Sequence, residues 1–384
     1  MHLEKPNLIK PASKASGLIH QYEDEKMTKQ KRILIVRQDR IGDVVLSTHI
    51  PREIKKKWDK SFVAVLVSNY TKDVYLNNPY VDKIILYDDI APAGFKNFFK
   101  KVKEIRSYKF NYALMLLPSE RINYMLFLAG IIHRVGVGQK FYQFITFAKG
   151  VSRHKYIPLR HEADYCMDLA RRIGIKTNNI TPEIFLTDEE QNKIIKIRSR
   201  AKENGKYLIG INTTSKNSAP NLPPEVYLNL INRLKKNESY QVVVTDYEVP
   251  EILTDIDGVE YPNDRLALRR SIINIASLDC LISSSTGPMH IAAAFGVYTI
   301  SVFCSLNACS PELWGPIGNR NKIILPDDNY CGHNCSRDPK TCTFAGKGGI
   351  SVGKILVALK EFIEEKENVK APMVYEKLQK VFVK

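Results

Sequence analysis

Residues 31–58 read K-R-I-L-I-V-R-Q-D-R-I-G-D-V-V-L-S-T-H-I-P-R-E-I-K-K-K-W and decide the fold. Residues 33–36 form an apolar, β-branched run too short for a helix, which predicts a buried strand with both faces covered. A charged loop follows, Gly42 permits a turn, and the apolar positions from Val44 onward suit one helix face. Asp43 therefore stands where strand gives way to helix. There it is either the N-cap of that helix or a carboxylate at the ligand-binding edge of the sheet.

The length and composition of the chain indicate a globular protein of two domains with an anionic partner. The 384 residues exceed what one hydrophobic core usually serves. The formal net charge of +16 favours a nucleotide, a phosphorylated glycan, nucleic acid or an acidic membrane surface as the partner. No nucleic-acid motif is present, so nucleic acid is not expected. No apolar run reaches the ~18–20 residues of a membrane span.

Strands and helices alternate in two consecutive series. The first series starts at residue 33, the pattern pauses at residues 181–187, and a second series starts at residue 207. This βαβ rhythm predicts an α/β protein with two doubly wound parallel sheets. Neither series contains G-x-G-x-x-G or G-x-x-x-x-G-K-[ST], so a dinucleotide-binding or P-loop function loses its main support.

The same patterns divide the chain into four predicted parts. Residues 1–27 lack periodicity and read as a loose extension, with Met27 as an alternative start. The first α/β domain is expected over residues 28–183 and the second over residues 184–350. Residues 351–384 are expected to form amphipathic helices, at residues 351–366 and 374–383. Within the first domain we also expect one helix from Val44 to Ile54 and a short helix at residues 71–77.

The most informative part of the second half is L-I-S-S-S-T-G-P-M-H-I-A-A-A-F-G, residues 281–296. A strand ends in hydroxyl-bearing residues, Gly287 permits close backbone approach, and Pro288 occupies an early helix position where its missing N–H costs nothing. The exposed N–H groups and positive dipole end of that helix suit a phosphate. The simpler interpretation is an ordinary helix start with small residues for packing.

Together these stretches resemble glycosyltransferase family 9, which includes the lipopolysaccharide ADP-heptose transferases. The matching segments are R-I-L-I-V-R-x-D-R-I-G-D-V-V-L-S-T, N-N-P-Y-V-D-K-I, G-I-N-T-T, S-T-G-P-M-H-I-A-A-A-F-G-V and W-G-P, in family order over residues 31–320. The resemblance implies a GT-B fold, in which two Rossmann-like domains face each other across a cleft. It makes the first domain the acceptor domain and the second the nucleotide-sugar donor domain. It also implies that the C-terminal helices of residues 351–384 return to the first domain.

The resemblance also implies site residues. Asp43 carries over as the general base of an inverting transfer, which raises catalysis above capping, and Arg40 and Gly42 fall on the acceptor side. The donor-binding positions are Thr213, Thr214, Lys216, Ser285, Thr286, Gly287, Pro288, Met289 and His290. Thr213 and Thr214 would give hydroxyl and N–H groups to the leaving diphosphate. His290 either faces the phosphates or packs inside its helix.

The chain departs from the family pattern in two places. Many relatives have an acidic residue where this chain has Ser285, which puts a heptose donor in question. Relatives also often have Lys-Trp-Pro after the Thr pair, whereas Lys216 stands out of that register. Enzymes of this type do not require an Asp-x-Asp metal site to neutralise the diphosphate, so the resemblance implies metal-independent transfer and no cofactor.

Seven cysteines remain to be explained. Their odd number favours reduced thiols in a cytoplasmic protein. The segment C-G-H-N-C-S-R-D-P-K-T-C holds Cys331, His333, Cys335 and Cys342, but its spacing is not that of a standard zinc knuckle. We therefore favour a metal-free loop over a zinc site.

The sequence thus predicts an inverting glycosyltransferase that moves heptose or a related sugar from a nucleotide-sugar, with ADP-heptose as one candidate, to a lipopolysaccharide core or other surface glycolipid. The expected partners are this donor, an anionic glycolipid and an anionic membrane surface. The expected place is the cytoplasmic face of the bacterial inner membrane. Transfer of another sugar to another glycan, a non-catalytic binding protein on the same scaffold, and a nucleotide-sugar epimerase remain open as alternatives.

Overall fold

The computed structural model describes residues 30–87, 94–153, 156–333, 335 and 338–368. They form two six-stranded parallel sheets, each with helices packed on both faces, so the predicted α/β fold with two doubly wound units is confirmed. The predicted extension at residues 1–27 and the last predicted helix, at residues 374–383, lie outside the described residues. Within the described part, no helix combines the length and the apolar composition needed to cross a membrane.

The first sheet has the strand order β3-β2-β1-β4-β5-β6. Its strands are β1 (Arg32–Val36), β2 (Phe62–Val67), β3 (Lys83–Leu86), β4 (Tyr112–Met115), β5 (His133–Val137) and β6 (Lys149–Val151). One face carries helices α1 (Ile41–Val45), α2 (His49–Lys57) and α6 (Glu162–Arg171), and the other carries α3 (Phe95–Ser107), α4 (Glu120–Leu128) and α5 (Phe141–Ile145). The strand order reverses between β1 and β4, so the loop after β1 opens at the topological switch point, where such sheets bind ligands.

The second sheet has the equivalent order β12-β11-β10-β7-β8-β9. Its strands are β7 (Tyr207–Ile211), β8 (Tyr240–Val244), β9 (Val259–Glu260), β10 (Cys280–Ser284), β11 (Tyr298–Val302) and β12 (Asn321–Ile324). Its helices are α7 (Asp188–Glu203), α8 (Pro224–Leu234), α9 (Leu268–Ala276), α10 (Gly287–Ala294), α11 (Pro311–Trp314), α12 (Tyr330–His333) and α13 (Val352–Asn368). The switch point lies between β7 and β10, so both predicted donor loops start there. The boundary predicted at 183/184 falls between the two sheets and stays a prediction.

The helix expected from Val44 to Ile54 is two helices, which corrects the prediction. The hydroxyl groups of Ser47 and Thr48 donate to the carbonyls of Val44 and Val45, each at 2.7 Å, and compete with continued helical bonding. Pro51 then lies in the first turn of α2, where its missing N–H is tolerated. The short α1 that results points its first turn into the space between the domains.

Two further predictions are wrong. Residues 71–77 hold only a single 3₁₀ turn at Lys72–Val74 rather than a helix. Helix α13 packs on α8, β11 and β12 of the second sheet and does not return to the first domain. Its apolar positions, including Ile355, Leu359 and Phe362, join the core of the second unit, where α13 covers β11 and β12 beside α8.

Candidate functional site

A cleft of about 950 Å³ lies between the carboxyl edges of the two sheets. The loops after β1, β2, β7, β8 and β10 line it. The predicted site residues that line it are Arg40, Gly42, Asp43, Thr214, Lys216, Ser285, Thr286, Gly287, Pro288 and His290. Thr213 and Met289 do not line it, because both are buried beneath its surface. The family motifs of both halves therefore meet in one cavity.

The two domains meet where α1 and α10 begin. A Cβ on Gly287 would lie 2.9 Å from the Cβ of Ile41, and a Cβ on Gly42 would lie 2.8 Å from Cδ2 of His290 and 3.6 Å from the Cα of Gly287. Side chains at either glycine would push the two helices apart. The glycines therefore bring the first turn of α1, which holds Asp43, against the N-terminus of α10.

Other contacts hold the same arrangement on both sides of the cleft. The backbone N–H of Arg269, at the start of α9, donates to Oδ2 of Asp73 at 3.1 Å, and its guanidinium pairs with Glu190 at 2.6 Å. On the other side, Nε2–H of His161 donates to the carbonyl of Gly315 at 2.8 Å, while Nδ1 accepts from the N–H of Ala163. Because Nδ1 accepts, this imidazole is neutral, and burial lowers the pKa of His161.

Asp43 lies in the first turn of α1 but does not cap it. The N-cap position is Arg40, so the capping interpretation of Asp43 is wrong. Instead, Nη2 of Arg37 donates to Oδ1 of Asp43 at 2.5 Å. Arg37 is the residue directly after β1 and is only 2% exposed. The carboxylate is thus held from below by a buried cation while it faces the cleft.

Arg37 binds two further carboxylates. Its Nε lies 2.8 Å from Oδ1 of Asp39, and its Nη1 lies 3.2 Å from Oε1 of Glu162 on α6. The other oxygen of Glu162 accepts from Nη1 of Arg153 at 2.8 Å. Three carboxylates therefore share two guanidinium groups in a largely buried cluster. Fully ionised, the cluster would carry one net negative charge.

Burial makes Asp39 and Asp43 more basic than free aspartate. Burial raises the pKa of Asp39 to about 6, against the opposing effect of Arg37. Burial also raises the pKa of Asp43, with Glu162 contributing in the same direction and Arg37 opposing it. A carboxylate with a raised pKa is a stronger proton acceptor. Sequence reasoning missed Arg37 and Glu162 because no local pattern links residues 125 positions apart.

A second buried carboxylate organises the donor side. Asp246, which follows β8, is 1% exposed. It accepts hydrogen bonds from the N–H and hydroxyl of both Thr213 and Thr214, at 2.5 to 2.9 Å, and from Nδ2 of Asn212 at 2.9 Å. The Thr pair, predicted to hold the diphosphate, thus bonds to Asp246 with all four of its donors. Its role toward the diphosphate stays a prediction.

The same network reaches the second donor loop. The hydroxyl of Thr286 donates to Oδ1 of Asn212 at 3.1 Å, so Thr286 does not cap α10 although it holds the N-cap position. Asn212 thus joins the loop after β7 to the loop after β10 across the switch point. The start of α10, without a side-chain cap and next to Ser285, borders the cleft as the predicted anion site.

His290 and Lys216 differ in how they border the cleft. His290 packs against Gly42, and burial lowers its pKa to about 3, so the ring is neutral. Lys216 is exposed, in a left-handed turn with φ of 46°, and its Nζ lies 3.6 Å from Oε2 of Glu248 and 5.2 Å from the centre of the Tyr247 ring. Lys216 therefore offers a positive charge to an anionic ligand in the cleft, as Arg40 and Lys72 also do, whereas His290 does not.

The cysteines form no disulfide in the structure. Among the residues that the structure describes, no three His, Cys, Asp or Glu side chains gather as metal ligands. The side chain of His333, part of the segment weighed as a zinc site, lies outside the described part.

Comparisons with known proteins identify the family and the fold of the chain. The family model for glycosyltransferase family 9 (heptosyltransferase) matches residues 98–343. A putative glycosyltransferase of Haemophilus influenzae is 25% identical over 77% of this chain and 88% of its own. The glycosyl transferase family 9 structure from Veillonella parvula superposes with a TM-score of 0.69 at 18% identity, over 87% of this chain and 97% of that chain. The ADP-heptose LPS heptosyltransferase II structure from E. coli gives a TM-score of 0.67 at 18% identity, over 88% and 99%.

Proposed function

The chain belongs to glycosyltransferase family 9 and is a glycosyltransferase, and on that premise we propose that it transfers heptose or a related sugar, with inversion, from a nucleotide-sugar to a surface glycolipid. ADP-heptose is the first candidate donor and a lipopolysaccharide core the first candidate acceptor. The E. coli protein that shares the fold, an ADP-heptose LPS heptosyltransferase, supports both choices. We place the enzyme on the cytoplasmic face of the inner membrane, where its +16 charge suits anionic lipid.

One observation supports the proposed chemistry best: Asp43 faces the cleft in the first turn of α1, directly beside the N-terminus of α10. Asp43 takes the proton of the acceptor hydroxyl as that oxygen attacks the anomeric carbon. The bond from this carbon to the diphosphate oxygen breaks with its electron pair, and the sugar configuration inverts. The raised pKa of Asp43 fits a carboxylate that accepts a proton near neutral pH.

The leaving nucleoside diphosphate carries the developing negative charge. The uncapped start of α10 and the hydroxyl of Ser285 border the place next to Asp43, and Lys216 can reach the same cleft. Helix N-terminal N–H groups and a lysine stabilise phosphate without a metal. We therefore propose metal-independent transfer, for which full turnover in excess EDTA is the expected result.

Transfer of a sugar other than heptose is the second candidate. Ser285 lines the cleft where many relatives have an acidic residue that contacts the donor sugar. A serine hydroxyl both donates and accepts hydrogen bonds, whereas a carboxylate only accepts them. A thermal-shift screen across nucleotide-sugars identifies the donor, because a ligand that binds the folded state raises the unfolding temperature.

The proposed role of Asp43 is tested by replacing it with asparagine. The Asp43→Asn variant should bind the donor identified by thermal shift but lose turnover by about 10²-fold or more, because the amide cannot accept the proton. Asp264→Asn, an exposed carboxylate outside the cleft, serves as the matched control and should keep full turnover. Wild-type turnover in Asp43→Asn would contradict the assignment.

A further inference from the structure

Helices α3, α4 and α5 and the segments that follow them present an unusual number of exposed apolar side chains. We call this surface the aromatic face. Its members are Phe95, Phe99, Phe127, Ile132, Phe141, Phe144, Ile145 and Phe147. Phe141, Phe144 and Phe147 are 78%, 79% and 83% exposed, although each would gain about 1.5–3 kcal/mol if buried. Exposed apolar side chains grouped on neighbouring helices in this way indicate an interaction site.

Helix α5 is built with its polar side inward. Gln143 is 2% exposed and donates to the carbonyl of Val137 at 3.2 Å. Thr146, just after the helix, is equally buried and accepts from Nδ2 of Asn123 on α4 at 2.8 Å. Phe141, Phe144 and Ile145, spaced i, i+3, i+4, occupy the outer side. These hydrogen bonds hold α5 against the domain through its polar side. Its apolar side is therefore exposed and available to a binding partner.

The surroundings of the aromatic face are strongly basic. Residues 94–153 contain eleven Lys and Arg but only Glu104 and Glu120, a net formal charge of +9 out of the +16 of the whole chain. Two of the eleven do not contribute to the surface, because Arg134 is buried and Arg153 pairs with Glu162. Lys140 and Lys149 flank α5 and are exposed, and neither pairs with a described carboxylate. Positive charge around exposed apolar side chains is suited to a lipid bilayer, which has anionic headgroups at its surface and apolar acyl chains beneath them.

Helix α5 belongs to the same domain as Asp43 but lies on the other face of its sheet. It starts shortly after Val137, the end of β5, and β5 is two positions from β1, which corresponds to about 10 Å at the usual strand spacing. No residue of α3, α4 or α5 lines the cleft. A bilayer held against α5 would therefore contact the first domain outside the cleft.

We propose that the aromatic face inserts its phenylalanines into the interface of an anionic bilayer, with Lys140 and Lys149 on the lipid phosphates. A protein partner is disfavoured because lysine is depleted at protein interfaces, whereas it is enriched here. The inference rests on the proposed function, because binding to a bilayer would bring the enzyme to its proposed glycolipid acceptor. Vesicle binding needs neither donor nor acceptor, so its failure is distinguishable from failure of the proposed transfer.

The first experiment compares sedimentation of the full chain with vesicles of phosphatidylcholine alone and of phosphatidylcholine with phosphatidylglycerol. The triple variant F141S/F144S/F147S should lose about tenfold or more in binding to the mixed vesicles. Its matched control replaces three exposed apolar residues of the other domain, I195S/I252S/V357S, and should bind as the wild type does. K140Q/K149Q should weaken binding and its salt dependence, whereas K202Q/K236Q should not.

The second experiment places a reporter on α5. Tryptophan fluorescence of Phe144→Trp should be quenched by vesicles of brominated lipid, and that of Val357→Trp should not. Equal quenching of both, or none at Phe144→Trp when the protein binds vesicles, would overturn the proposal. So would unchanged vesicle binding by a folded triple variant that has instead lost self-association, since the face would then join two copies of the chain.

Discussion

An alanine at Gly287 tests whether the two domains meet as the structure places them. The new methyl group would lie 2.9 Å from the Cβ and 3.1 Å from the Cγ2 of Ile41, and 3.4 Å from the backbone nitrogen of Gly42. Carbon atoms pack best at about 3.5–4.0 Å, so α10 and α1 must move apart. Because Asp43 directly follows Gly42 in α1, this movement also separates the base from the anion site.

The size of the effect follows from two opposing contributions. Overpacking a close contact costs about 1–3 kcal/mol, and replacing a helical glycine by alanine returns about 0.5–1 kcal/mol. The Gly287→Ala variant should therefore lose about 0.5–2 kcal/mol in the free energy of unfolding. That corresponds to a fall of a few degrees in Tm at about 2–4 °C per kcal/mol. Turnover should fall further than stability alone explains, because the reacting groups are displaced.

Gly353→Ala is the matched control. It lies in α13, its backbone φ is ordinary, and the nearest atom to a new Cβ is Oγ of Ser351 at 3.6 Å. This variant should gain stability from helix propensity and keep full turnover. Thermal unfolding and a steady-state assay of both variants decide the question. If Gly287→Ala behaves like Gly353→Ala in both measurements, the domains do not meet through α1 and α10 and the reasoning fails.

Two other predictions concern buried polar groups. His49 is fully buried, neither ring nitrogen has a described partner, and burial lowers its pKa from 6.5 to about 3. Below pH 6.5 the unfolded chain binds a proton that the folded chain does not, so stability falls by about 1.4 kcal/mol per pH unit until the folded pKa is reached. Denaturant titrations should show His49→Leu losing this slope, and an unchanged slope would assign it elsewhere. Thr214→Val removes a donor from Asp246 and should cost about 1–3 kcal/mol of unfolding free energy, whereas Thr214→Ser, which keeps the hydroxyl, should cost much less.

The fold could be predicted from the sequence because its signals are local. A few neighbouring residues are enough to predict each element. The apolar run at residues 33–36 predicts a strand, the Gly287-Pro288 pair predicts a helix start, and β1 and α10 form there. Both motifs also follow strands at a switch point, which the βαβ order alone implies. The family resemblance then predicted that the loop after β1 and the loop after β10, which lie far apart in the chain, belong to one site.

The parts that could not be predicted depend on contacts between distant segments. From sequence alone, Arg37 is an ordinary charged loop residue, because its partner Glu162 is distant in the chain. Thr214 is predicted to be a phosphate ligand, because its hydrogen bond to Asp246 cannot be inferred from the sequence. Asp246 did carry a usable signal, because it follows β8 just as Thr213 follows β7 on the neighbouring strand. Helix α5 left no amphipathic signature of the usual kind, because its outer side is the apolar one.

The network around Asp246 has a consequence for how fast the enzyme can take up its donor. The protein's own hydrogen bonds hold the loops after β7 and β10 together, since Asn212 is bonded to both Asp246 and Thr286. A nucleotide that docks there loses its own rotational freedom but does not have to order those two loops, which lowers the entropic cost of binding. Association should then be limited by diffusion into the cleft, and the donor side should act as a rigid template against which the acceptor is presented.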